Sequence, residues 1–165
     1  MAGCYQMERL FDPDLSPQAA AQEVAALQVS AEHGSATAAY LLGTLYRLGP
    51  SHPAARLPRD RDLARKWLTQ SALAGNLGGM AGLAELERSQ GRHLEELALT
   101  RVRKHYAENH PDAWLASVER YTNLLVKRAE TTLMREGAGD RAAEVQAAVD
   151  AFIAEHGAAI EARIG

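Results

Sequence analysis

Gly34 and Gly75 stand 41 residues apart, and their apolar surroundings recur at the same offset: Ala31 with Ala72, Leu27 with Leu68, Leu42 with Leu83, and Leu45 with Leu86. A period of that size constrains the fold more than any single motif. Each unit is one supersecondary piece that buries its apolar face only by stacking on the next. The unit is helical, because nowhere do apolar and polar residues alternate for long enough to mark a strand. The chain is therefore expected to be all-α.

Local signals place the helices. Ser16 before Pro17 is a helix start, since the serine oxygen accepts an orphan N–H and proline at the first helical position loses nothing. Ala20, Val24, Leu27 and Ala31 then share one face up to Gly34, and Ser35 caps a second helix with the stripe Ala38, Leu42, Leu45 and Tyr46. The stretch 49–58 holds three prolines and reads as a loop, after which Asp60 caps a helix carrying Leu63, Ala64, Trp67, Leu68 and Ala72 to Gly75. Met80, Leu83, Ala84 and Leu86 mark the next helix, closing at Gly91, and Leu94, Leu97, Ala98, Val102 and Tyr106 mark another, closing near Asn109. Over 111–136 the residues Trp114, Val118, Tyr121, Leu125 and Leu133 keep one stripe, predicting the longest helix, about 39 Å at 1.5 Å per residue. Gly137 and Gly139 break it. Val145, Val149, Phe152 and Ile153 form a last helix expected to end at Gly157, with a fraying tail beyond.

Composition excludes several classes. Among 165 residues, 47% are hydrophobic, enough for one continuous core, and 5% are aromatic, too few for an aromatic-rich barrel. A formal charge of -3 does not point to nucleic acid, and the single Cys4 excludes an internal disulfide. The six histidines, His33, His52, His93, His105, His110 and His156, never take the spacing of a zinc protease. His33 and His156 each directly precede a glycine expected to end a helix, where an imidazole favours the dipole. Glu85, Glu87, Glu95 and Glu96 read as a solvated face, because adjacent helical residues point about 100° apart. Gly75, Gly78, Gly79 and Gly82 lack the strand and lysine of a phosphate loop, so close helix packing is their expected role. No serine lies in G-x-S-x-G. The basic run 56–66 contains two aspartates and no interleaved aromatics, which favours plain solvent, and after it a protein partner, over nucleic acid.

The residues Tyr40, Leu42, Gly43, Tyr46 and Gly49, followed by Asp60, Ala64, Trp67, Ala72 and Gly75, carry a resemblance. The pattern Y-x-L-G-x-x-Y-x-x-G, a loop, then D-x-x-x-A-x-x-W with Ala and Gly after it, is similar to the Sel1-like repeat, a relative of the tetratricopeptide repeat. Within it a small Gly43 permits close helix approach, and Tyr46 and Trp67 fill the space between helices. The second copy departs from the pattern: Ala84 replaces the glycine, Glu87 the second tyrosine, and the pattern is lost from about 92 onward. The resemblance implies one domain over 1–165, a right-handed α-solenoid of antiparallel hairpins with about seven helices. Its parts would be a degenerate repeat at 17–34, the best repeat at 35–75, a degenerate one at 76–110 and a helical cap at 111–165.

It also implies a non-catalytic protein-interaction module, without cofactor or metal, acting as a bacterial adaptor or as an immunity protein that neutralises a dedicated partner such as a secreted toxic effector. The first helices of the repeats would line a concave binding surface, giving Thr37, Leu41, Thr44, Arg47 and Leu48, with Glu85 and Arg88 on the next repeat, as partner contacts. An exposed Leu41 or Leu48 would be the anchor. Two alternatives are self-association through the 111–136 helix, with Trp114 and Tyr121 at the interface, and an enzyme with a pocket between the repeats and that helix. Met1-Ala2-Gly3-Cys4 resembles the end of a lipoprotein signal with nothing apolar upstream. As written the chain is expected to be cytoplasmic. Periplasmic location, or lipid anchorage through Cys4, is the expectation if it is the mature part of a longer precursor.

Overall fold

The structure is a computed structural model, and it describes residues 10, 12, 14–51, 57–108 and 115–164. Cys4, His52, His110, Pro111 and Trp114 lie outside the described residues. Among those described, the protein is all-helical, with seven bounded α-helices and no strand: α1 (Pro17–Glu32), α2 (Ala36–Leu48), α3 (Arg61–Leu73), α4 (Leu77–Ser89), α5 (His93–Glu108), α6 (Leu115–Arg135) and α7 (Ala142–Ile164).

The caps stand where short polar side chains precede the apolar stripes. Ser16 accepts from the Ala19 N–H at 3.1 Å, Ser35 from Ala38 at 3.1 Å, Asp60 from Leu63 at 3.0 Å and Asn76 from Gly79 at 2.9 Å. Gly34 and Gly75 both adopt positive φ, 94° and 84°, and each turn is closed by a further bond, Ser35 N–H to Ser30 O and Asn76 N–H to Ser71 O. The repeat is thus physical as well as textual. The bounds of α2 fall on those of α4 when moved by the 41-residue offset, and their caps Ser35 and Asn76 correspond as well.

Consecutive helices from α1 to α6 pack in pairs, and α2 also lies against α4. One core cluster joins α1 and α2 through Leu27, Ala31, Leu42 and Leu45, with Trp67 of α3. A second joins α3 to α7 through Leu68, Met80, Leu86, Val102, Leu133 and Ile160. Tyr40 and Tyr46 touch both. The expected close approach at glycine is present. A Cβ on Gly43 would lie 2.6 Å from Leu68 Cγ, and one on Gly82 would lie 2.7 Å from Leu68 Cδ2.

One expectation fails at the C-terminus. The described part of α6, whose preceding residues 111–114 lie outside the described residues, spans 21 residues, and the last helix, α7, spans 23. It does not stop at Gly157 but runs through it to Ile164, because Gly157 is a buried helical position facing Tyr106 rather than a left-handed turn. Nor does α7 pair with α6. It lies along α5 and reaches α3, with Val145, Val149 and Ile160 inward.

The two glycines predict opposite outcomes for one substitution. Gly43→Ala drives a methyl into Leu68 and is expected to lose about 1–2 kcal/mol after the gain in helix propensity. Gly157→Ala meets neighbours no nearer than 3.4 Å, so it is expected to gain about 0.5 kcal/mol. Denaturant unfolding of both variants checks the pair.

Candidate interaction surface

The sequence places Thr37, Leu41, Thr44, Arg47 and Leu48 on α2, and the structure divides them. Thr37 is exposed. Thr44 and Leu48 are half-buried. Thr44 Oγ1 donates back to Tyr40 O at 2.8 Å, and Leu48 O accepts from Arg59 at 3.3 Å. Arg47 is half-buried, and its enclosed Nε has no hydrogen-bond partner among the described residues. Leu41 corrects the expected anchor: it is 4% exposed, packed with Ala38, Leu42 and Trp67 in the N-terminal core. The reason is that α2 meets α1, α3 and α4 together, so three sides of one helix are covered and the apolar arc widens past the sequence stripe.

Glu85 and Arg88 on α4 are not open to a partner in the expected way, since both are engaged in ion pairs that join α4 to α5 and α6. Arg128 of α6 pairs with Glu85, and Arg128 also stands 3.7 Å from Glu96. Arg88 approaches the same Glu96 oxygen at 3.6 Å. His93 completes the cluster, with Nδ1 3.0 Å from Glu96 and Nε2 3.3 Å from Glu136. A second buried carboxylate, Glu87, is clamped between Arg65 of α3 and Arg92, the latter at 3.0 Å.

The solvated-face expectation for these glutamates is therefore half wrong. Glu95 is outward, but Glu96 is 0% exposed and Glu87 2%. The 100° between neighbours on a helix is what separates Glu95 from Glu96. For Glu87 the signal lay in the repeat, because it occupies the place of Tyr46 one period later, an interior position. For Glu96 no local pattern distinguishes it; only the meeting of Arg88, His93 and Arg128 does. Removing the charge of Glu96 takes the buried carboxylate from Arg88 and His93, while Arg128 keeps Glu85. With both arginines more than a third exposed, Glu96→Gln is expected to cost about 1–2 kcal/mol, against less than about 0.5 kcal/mol for Glu95→Gln, in the same unfolding assay.

Arg103, also buried, ties α5 to its neighbours. Its Nε donates to Thr122 Oγ1 at 2.8 Å and its Nη1 to Leu77 O at 2.7 Å, while the guanidinium lies 5.2 Å from the centre of the Tyr121 ring. Burial pulls its pKa below the ordinary arginine range, with the nearby tyrosines opposing, and it stays cationic at neutral pH. His33 fulfils its expected role: Nδ1 donates to Val29 O at 2.7 Å, closing the end of α1. His156 does not, since it lies inside α7 beside Phe152.

A pocket of about 440 Å³ opens between α4, α5 and α7. Arg65, Glu87 and Arg92 form its polar end, and Leu83, Val102 and Phe152 belong to its apolar wall. No residue of α6 lines it, so it is not the pocket expected beside the 111–136 helix. Its cations are already paired, Arg65 and Arg92 with Glu87 and Arg141 with Glu144 at 2.6 Å. The hydrogen bond from Arg141 holds the exposed Glu144 carboxyl below the usual range. Among the described residues no group of three or more His, Cys, Asp or Glu side chains could hold a metal ion, and no helix is long and apolar enough to cross a membrane.

Tyr106 packs beneath α7, and burial, with a smaller contribution from Glu161, raises its phenol pKa. A group with a raised folded pKa contributes stability below its unfolded value, near 10.0, which is lost as pH climbs through the folded value. Tyrosinate absorbance is thus expected to show a late-titrating component that Tyr106→Phe removes. Comparison with family models, with curated proteins and with solved structures gives no match.

Proposed function

We propose that the chain is a non-catalytic protein-interaction module, a right-handed α-solenoid of Sel1-like hairpins. In this reading it serves as a bacterial adaptor or immunity protein that binds and neutralises one dedicated protein, such as a secreted toxic effector. The observation that carries the proposal is the repeated hairpin: α2 and α4 correspond at the 41-residue offset and lie side by side, as first helices of successive repeats do. Such a row offers an extended surface made of positions that packing leaves over. On α2 these positions are Thr37, Thr44, Leu48 and Arg47, whose enclosed Nε still lacks an acceptor among the described residues. Leu41 drops out as a contact, and Glu85 and Arg88 take part through the edge of their ion pairs. A polar, half-exposed surface of this kind suits a partner recognised by hydrogen bonds and charge as much as by apolar burial.

The experiment is quantitative capture from the native source, with the full chain as bait and a Thr37→Glu/Arg47→Glu variant beside it. One stoichiometric protein, retained by the parent and reduced about tenfold or more with the variant, is the expected result. Capture that is unchanged by the variant overturns the α2 surface, and absence of a stoichiometric protein overturns the dedicated-partner reading.

A further inference from the structure

Every consecutive helix pair from α1 to α6 packs together, but α6 and α7 share no such interface, because the turn at 136–141 sends α7 back over α5. The side of α6 turned from α5 is consequently uncovered among the described residues. It carries Leu124, Lys127, Thr131 and Met134, with Tyr121 at its flank beside Arg103 of α5, all exposed and separated by steps of three and four residues. That spacing draws one line along a helix and is the pattern by which a second helix is seated. Its apolar members are unusually open: Leu124 is 66% exposed, Met134 73% and Tyr121 49%. Single exposed apolar residues are ordinary on a protein surface, but two on one line at helical spacing, with a third at its flank, form a seam.

The charge beside the seam selects the occupant. Lys127 and Arg135 are exposed and have no ion-pair partner among the described residues. The nearby acids are engaged elsewhere, Glu130 with Arg101 at 3.2 Å and Glu136 with His93. A second copy of the chain fits poorly. In an antiparallel pairing centred on the seam, Lys127 would face Arg128, whose pairs with Glu85 and Glu96 leave Lys127 no carboxylate of its own; in a parallel one, Lys127 would face itself. Either arrangement sets like charges together at the contact. We propose that this face of α6 seats an α-helix of a partner protein, one with apolar residues at steps of three and four and acidic residues flanking them. This is a second surface, on a different helix from the α2 row, and it stands whether or not that row binds a client.

The test is a titration of the full chain against a fluorescent synthetic helical peptide with leucines at steps of three and four and glutamates on either side. A peptide of the same composition in scrambled order is the control. The ordered peptide is expected to bind saturably and about tenfold tighter than the scrambled one; Leu124→Asp, or Lys127→Glu with Arg135→Glu, is expected to weaken it about tenfold, while Thr37→Glu leaves it unchanged. All the substituted positions are exposed, so circular dichroism of the variants should match the parent. Equal affinity for the two peptides, no saturable binding, or indifference to the α6 substitutions overturns the proposal. It is likewise overturned if phosphatidylglycerol vesicles bind at this face in place of the peptide, or if the chain shows a concentration-dependent mass that Leu124→Asp abolishes. The α2 capture experiment can fail or succeed independently of each of these outcomes.

Discussion

Leu68 is the side chain on which the two hairpins close. It is fully buried in α3, with Gly43 of α2 and Gly82 of α4 both so near that a Cβ on either would overlap it. Burying one leucine contributes roughly 2 kcal/mol by itself. Its larger effect is geometric: a helix can approach to this distance only where it has no side chain, so the glycines set how near α2 and α4 lie to α3. With α3 gripped from both sides, α2 and α4 are brought against each other. The side-by-side arrangement of α2 and α4 comes from that approach.

Charge completes what apolar packing begins. Glu87 and Glu96 sit inside the junctions of α3, α4, α5 and α6, each held by cations from more than one segment of the chain. Apolar contact tolerates sliding between helices, whereas a buried carboxylate between guanidinium groups accepts few alternatives, because any shift leaves a charge unmatched in a low dielectric. The two carboxylates therefore disfavour shifts of α4, α5 and α6 that would carry them away from these cations. The same arrangement occupies Glu85 and Arg88 and narrows the α4 side of the surface to the rims of their ion pairs.

Where regular pairing ends, the molecule exposes what pairing normally covers. The path of α7 along α5 to α3 closes the C-terminal core through Val145, Val149 and Ile160 and leaves α6 with one side covered. A helix in that position normally needs a polar outer face. Here Leu124 and Met134 stand in water next to Lys127 and Arg135.

Helix order, caps and most turns were legible in the sequence because they depend on residues a few positions apart. Ser16, Ser35 and Asp60 reach their own first turns, and Gly34 and Gly75 supply the left-handed conformation that a helix end requires. The resemblance likewise implied that Gly43 would let a neighbouring helix approach closely. Tertiary structure alone decided three matters, because each depends on which helix stands opposite. Leu41 is core because α2 has three neighbours, Glu96 is interior because Arg88, His93 and Arg128 converge on it, and Gly157 continues a helix because Tyr106 faces it. Periodicity reports which residues share a face of a helix. It carries no information on how many sides of that helix will be covered, and that number settled which of the expected contact residues are left on the surface.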